Sequence, residues 1–142
     1  MQVKEIMTKS LQFVPADSSV IEAAQKMKQF DVGVLPVGDQ DKVLGMVTDR
    51  DITIQAVASG RSLQNLRVQD VMSSDVKTVP WDADVKEASQ IMADSQIRRL
   101  IVVDPQMKPV GIISLGDLAT EGDEKQAGQA LQDISEPNHP RH

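Results

Sequence analysis

The sequence predicts an α/β (α+β) chain made of two copies of one β-α-β-β-α unit, each with a small mixed three-stranded sheet. The copies should pack about a pseudo-twofold axis. Two observations lead there. One stretch occurs twice, as GMVTDRDI from Gly45 to Ile52 and as GIISLGDL from Gly111 to Leu118. The order of signals before each copy is also the same, so the repeat covers most of the chain. A period this long suits a closed pair better than an open array of short repeats.

The elements follow in order. Val3 to Met7 is short and mixed, and reads as a helical turn. Leu11 to Val14 reads as a strand stopped by Pro15. Ser19-x-x-Glu22 has the form of a capping box for a helix running to about Phe30. Val20, Ala23, Ala24 and Met27 form its buried stripe. Asp31 to Gly33 breaks the helix. Val34 to Val37 is a strand whose Pro36 suggests an edge or a bulge. Gly38 to Asp41 is a hairpin turn, and Val43 to Thr48 is the returning strand. A helix from Asp49 to about Ala58 ends at Gly60.

The programme then restarts. Val68 to Met72 matches Val3 to Met7, and Val79-Pro80 matches Val14-Pro15. Asp84-x-x-Glu87 matches the first capping box, and Val85, Ala88 and Met92 repeat its apolar stripe. Leu100, Val102 and Asp104 match Leu35, Val37 and Asp39. The repeats are therefore bounded at 1–61 and 62–122, with 123–142 as a C-terminal helix and flexible tail. In that tail Ala127, Ala130, Leu131 and Ile134 have helical spacing, whereas Ser135 to His142 is polar and proline-broken. In each unit the first two strands, joined by a helix, should be parallel and the third antiparallel. A sheet of three strands cannot cover both of its faces alone, and two copies packed together can.

Composition excludes several classes of function. The 142 residues contain no Cys, which removes disulfides, thiolate metal sites and thiol nucleophiles. A net charge of −6 and an aromatic content of 2% argue against a nucleic-acid surface. No apolar run approaches the roughly 18 residues of a membrane span, and the start lacks the apolar core of a signal peptide. A cytoplasmic protein is expected. His139 and His142 stand in the tail without the neighbours a metal site needs, so no metal is expected.

The repeated stretch carries the chemistry. A strand closes on a hydroxyl, Thr48 or Ser114, and an aspartate follows three residues later, Asp51 or Asp117. A helix start presents free N–H groups, which suit phosphate, and a carboxylate can accept hydrogen bonds from a ribose diol. The same spacing also serves as a capping box, and spacing alone favours the cap.

At this point the residues resemble a family. VKEIMT with VQDVMS, GMVTDRDI with GIISLGDL, and IRRLIVVD resemble the paired CBS module, also called the Bateman module. It is named for cystathionine β-synthase and occurs in inosine monophosphate dehydrogenase and AMP-activated kinase. The chain looks like a stand-alone, two-repeat bacterial member. The resemblance implies a non-catalytic regulatory sensor that binds adenosine nucleotides in clefts between the two repeats. AMP, ADP or ATP is the implied ligand, with S-adenosylmethionine or NADH as further candidates, and no cofactor is required. It implies ligand contacts at Thr48, Asp51, Ser114 and Asp117, with capping as a compatible second role. It also implies phosphate contacts at Arg98 and Arg99, which fall where the first copy has Gly33-Val34. Arg suits that task because its planar fork meets phosphate oxygens bidentately. The competing reading of the two arginines is a surface pair worth about 0–1 kcal/mol.

Arg50 and Lys42 could add charge. Met7, Val34, Pro36, Met72 and Ile101 are candidates for an adenine slot, although each also suits ordinary core. Trp81 suits packing or a cleft rim. The resemblance further implies a homodimer and an unidentified regulated protein. The helix after Thr48 supports an interface: Ile52 and Ala56 form one stripe, and Ile54, Val57 and Ala58 a second. The alternative function is a structural dimerisation module with no physiological ligand. An enzyme is disfavoured, because no nucleophile stands beside a base.

Overall fold

A computed structural model of the chain describes residues 1–121 and 124–135. Among the described residues there are five strands and five α-helices: α1 (Val20–Phe30), β1 (Val34–Gly38), β2 (Val43–Thr48), α2 (Asp49–Asp51), β3 (Thr78–Pro80), α3 (Val85–Ser95), β4 (Arg99–Val103), β5 (Pro109–Ser114), α4 (Leu115–Glu121) and α5 (Glu124–Ile134). Short 3-10 turns cover Val3–Glu5 and Val68–Asp70, and a π-helix, Ile52–Val57, continues α2. His139 and His142, at which no metal site is expected, lie outside the described residues, as does most of the polar tail.

The compact units are not the sequence repeats bounded at 1–61 and 62–122. One unit is Leu11–Val76; the other joins Met1–Ser10 to the chain from Lys77. Each repeat's opening turn thus belongs to the other repeat's unit. The physical reason is burial. Val3 packs in one core with Val79, Met92, Leu100 and Ile113. Val68, its counterpart, packs with Val20, Leu35, Val37 and Val47. Both valines are fully buried.

The glycine that opens each repeated stretch makes room for these segments. In the second-repeat unit Thr8 and Ile112 exchange backbone hydrogen bonds of 2.8 and 3.0 Å. A Cβ on Gly111 would stand 2.6 Å from Met7 Sδ and 2.9 Å from the Thr8 carbonyl oxygen. In the first-repeat unit Met46 and Ser73 exchange two bonds of 2.9 Å. A Cβ on Gly45 would stand 2.6 Å from the Ser73 carbonyl oxygen. Only a residue without a side chain admits a backbone this close.

In the second-repeat unit the sheet has the expected order and sense: β3 pairs parallel with β4, and β4 antiparallel with β5. In the first-repeat unit β1 and β2 pair antiparallel, but the strand expected at Leu11 to Val14 is reduced to one parallel bridge, Val14 with Val37. Proline explains the difference. Ile101 N–H donates to the Lys77 carbonyl at 3.1 Å. Pro36 holds the position of Ile101 and has no N–H to donate, so the ladder stops.

The helix starts also differ in detail from the expected boxes. Ser19 Oγ accepts from Glu22 N–H at 3.1 Å, and Asp84 Oδ1 accepts from Lys86 N–H at 2.8 Å. Neither glutamate side chain returns a bond to its cap among the described residues. Both helices end on a left-handed residue, Asp31 at φ 54° and Gln96 at φ 53°. The expected helix to Ala58 keeps its extent but changes type after Asp51. Ala58 N–H reaches the Thr53 carbonyl at 2.9 Å, five residues back. Its two faces divide as the apolar spacing predicts: Ala56 is buried, whereas Ile54 and Val57 are 53% and 58% exposed.

The C-terminal helix is docked. In the second-repeat unit α5 packs on α3 and α4, and Ile134 enters the core. The Gln96 side-chain amide donates to the Asp133 carbonyl at 3.1 Å.

Candidate functional site

The antiparallel register of each hairpin brings the repeated hydroxyl beside the start of the preceding strand. Ser114 pairs with Arg99, and the Leu115 N–H donates to the Arg98 carbonyl at 2.9 Å. In the first-repeat unit Thr48 pairs with Val34, and the Asp49 N–H donates to the Gly33 carbonyl at 3.0 Å. The two backbones are equivalent, so what distinguishes them is side chains.

Both repeated motifs are reciprocal capping boxes. Thr48 Oγ1 accepts from Asp51 N–H at 3.0 Å, and Asp51 Oδ2 accepts from Thr48 N–H at 2.9 Å. Ser114 Oγ accepts from Asp117 N–H at 3.1 Å, and Asp117 Oδ2 accepts from Ser114 N–H at 2.8 Å. Aspartate here does the work usually given to Glu or Gln. The bond uses one carboxylate oxygen of each aspartate, and a carboxylate has capacity for several donors.

An open cleft of about 730 Å³ lies in the second-repeat unit. Arg98, Arg99 and Ser114 line it at the sheet end, and Leu115, Gly116 and Ala119 line it from α4. The helix α5 contributes Gly128 and Leu131. Three of the six residues singled out from the sequence therefore meet in one place. Asp117 stands next to this lining but is engaged in its cap. Thr48 and Asp51 occupy the equivalent place in the other unit. Arg98 and Arg99 are exposed and form no ion pair with a described residue.

The charge at the equivalent position of the first-repeat unit is reversed. A Cβ on Gly33 would stand 3.1 Å from Asp49 Oδ2, so a carboxylate covers the spot where the other repeat carries Arg98. The Arg50 N–H donates to Asp49 Oδ1 at 2.8 Å. Phosphate is repelled by such a carboxylate and attracted by the paired guanidinium groups.

Among the remaining candidates Lys42 and Arg50 are exposed and Val34 is half-buried in β1, whereas the other apolar ones fall in packing positions. Pro36 and Ile101 are buried in their sheets, and Met7 and Met72 pack against the two cores. Trp81 is half-buried against the second-repeat core, with Lys4 Nζ 5.1 Å from its ring centroid. The cleft residues of α5 were not recognisable from the motifs. The sequence predicts a docked helix whose Leu131 and Ile134 cover part of the helix after Ser114, and α5 does pack on α4.

The CBS domain family matches residues 3–56 and 68–124. The chain is a pair of CBS domains. A CBS domain-containing protein of Bacillus subtilis, YhcV, is 43% identical over 137 residues, 96% of each chain. Among solved structures, the hexameric CBS-CP12 protein from bloom-forming cyanobacteria is 28% identical with a TM-score of 0.75, covering 89% of this chain and 73% of that one. The CBS domain pair of protein MJ0100 was solved in complex with 5′-methylthioadenosine and S-adenosyl-L-methionine. It is 26% identical with a TM-score of 0.75, covering 88% of this CBS pair and 98% of that chain. CBS pairs of this kind are regulatory modules and not catalysts. Among the described residues, no helix is long and apolar enough to cross a membrane.

Proposed function

We propose that this CBS pair is a cytoplasmic sensor of an adenosine nucleotide, AMP, ADP or ATP, and that it reports by altering a regulated partner. The observation that carries this reading is the pair Arg98-Arg99, beside Ser114 on an open cleft and without an acidic partner among the described residues. Two guanidinium groups favour an anionic ligand, so a nucleotide phosphate fits better than the sulfonium cation of S-adenosylmethionine. The bound adenosyl compounds of the MJ0100 pair support the nucleoside part of the proposal. Asp117 would keep its second carboxylate oxygen for a ribose hydroxyl while its first holds the cap. Thr48 and Asp51 would serve a weaker site in the first-repeat unit, where Asp49 opposes phosphate.

Calorimetry of wild type and Arg99→Ala with ATP and with adenosine tests the proposal. A hydrogen bond to a charged group is worth about 1.5–3 kcal/mol, or roughly 10–150-fold in Kd. ATP should lose affinity by that factor and adenosine should not. Equal losses for both ligands would remove the phosphate role. A second reading, a homodimeric scaffold with no physiological ligand, is favoured by the exposed Ile54 and Val57. A thermal-shift panel that stays flat with millimolar AMP, ADP, ATP, NADH and S-adenosylmethionine would support it.

A further inference from the structure

Gly128 poses a question that the helix itself does not answer. It stands in the interior of α5, where glycine is the poorest helix former after proline. Its φ is not positive, so the backbone does not require glycine. A Cβ there would meet no described atom within 4 Å, so no described neighbour requires it either. What the position does border is the cleft of Arg98, Arg99 and Ser114.

We infer that α5 forms the base-facing side of this cleft and that Gly128 is its specificity-determining residue. The inference rests on the nucleotide reading of the cleft and adds an element that lies beyond the two repeats. Almost all of α5 follows the second family match, which ends at residue 124. The C-terminal end of the helix is anchored by Ile134 in the core and by the Gln96 bond to the Asp133 carbonyl, and the helix packs on α3 and α4. A wall fixed in this way can discriminate between ligands. Gly128 and Leu131 are three residues apart and share a helix face. Together they offer a bare stretch of backbone and an aliphatic side chain that is 44% exposed. A planar heteroaromatic ring fits such a surface. The phosphate end of the same ligand belongs at the arginines, which α5 does not supply. A side chain at position 128 would take up the space of the ring and leave the phosphate contacts in place.

The test compares AMP with ribose 5-phosphate, which keeps the sugar and phosphate but lacks the base. Wild type, Gly128→Ala, Gly128→Leu and Arg99→Ala are titrated with each in a calorimeter and melted without ligand. Gly128→Leu should weaken AMP by about tenfold or more and change ribose 5-phosphate by less than twofold. Gly128→Ala should weaken AMP by less and should melt above wild type, because alanine favours the helix. AMP affinity unchanged in Gly128→Leu, with Arg99→Ala impaired, would overturn the role of α5 and leave the nucleotide site standing. Equal losses of AMP and ribose 5-phosphate in Gly128→Leu would overturn it too. AMP binding indifferent to both Arg99→Ala and Gly128→Leu would overturn the assignment of the cleft itself.

Discussion

Replacing Asp117 by Ala separates the two tasks that its carboxylate can perform. The structure gives the first task directly. Asp117 Oδ2 accepts the Ser114 N–H at 2.8 Å at a half-buried helix start, and Ser114 Oγ returns a bond of 3.1 Å. The substitution removes the first bond and leaves the second. Losing a cap contact costs about 0.5–2 kcal/mol, and the better helix propensity of Ala returns up to about 0.7 kcal/mol. A net loss near 1 kcal/mol is expected, which is about 3–5 °C in melting temperature for a chain of this length. Asp51→Ala removes the matching bond at Thr48, 2.9 Å long, and should cost about the same. The second task is the ribose contact. If Asp117 performs it, Asp117→Ala should also weaken AMP by about tenfold, whereas Asp51→Ala should leave the site at Arg99 unaffected. Differential scanning calorimetry reads the first effect and titration calorimetry the second. An Asp117→Ala protein that melts like wild type would refute the capping energetics. One that melts lower but binds AMP unchanged would show that the aspartate is a cap and nothing more.

Two other predictions concern packing and assembly. Gly111→Ala and Gly45→Ala should each destabilise their unit by about 1–3 kcal/mol in denaturant titrations, because the new Cβ must displace a hydrogen-bonded carbonyl, that of Thr8 or Ser73; unfolding midpoints equal to wild type would mean that these segments yield freely. The chain should run as a dimer in size exclusion with light scattering, and Ile54→Lys or Val57→Lys should shift it toward monomer by placing a charge in the apolar contact. A dimer unchanged in both variants would place the interface on another surface.

The repeat, the order of elements and the pairing of each hydroxyl with its aspartate are all local in origin. Apolar period, cap residues and glycines act over a few positions, so the sequence displays them directly. That is why α1, α3 and the two hairpins lie where their patterns put them. It is also why Thr48-x-x-Asp51 and Ser114-x-x-Asp117 form reciprocal caps. The missing N–H of Pro36 was equally visible, and its consequence, a ladder that stops at one bridge, follows from it.

Tertiary structure decided matters that no local pattern encodes. Val3 and Val68 look alike in sequence, and each is buried in the unit of the opposite repeat because that is where an apolar pocket is left to fill. Arg98 and Ser114 become neighbours only through the register of β4 and β5. Asp49 comes to lie over Gly33 only because β1 and β2 place it there, and this reverses the charge of one repeat relative to the other. The helix α5 announced its amphipathic face in sequence, but its place beside the arginines depends on its packing against α3 and α4 and on the amide of Gln96. Helical spacing specifies that a face must be buried; only the shape of the remaining surface specifies against what.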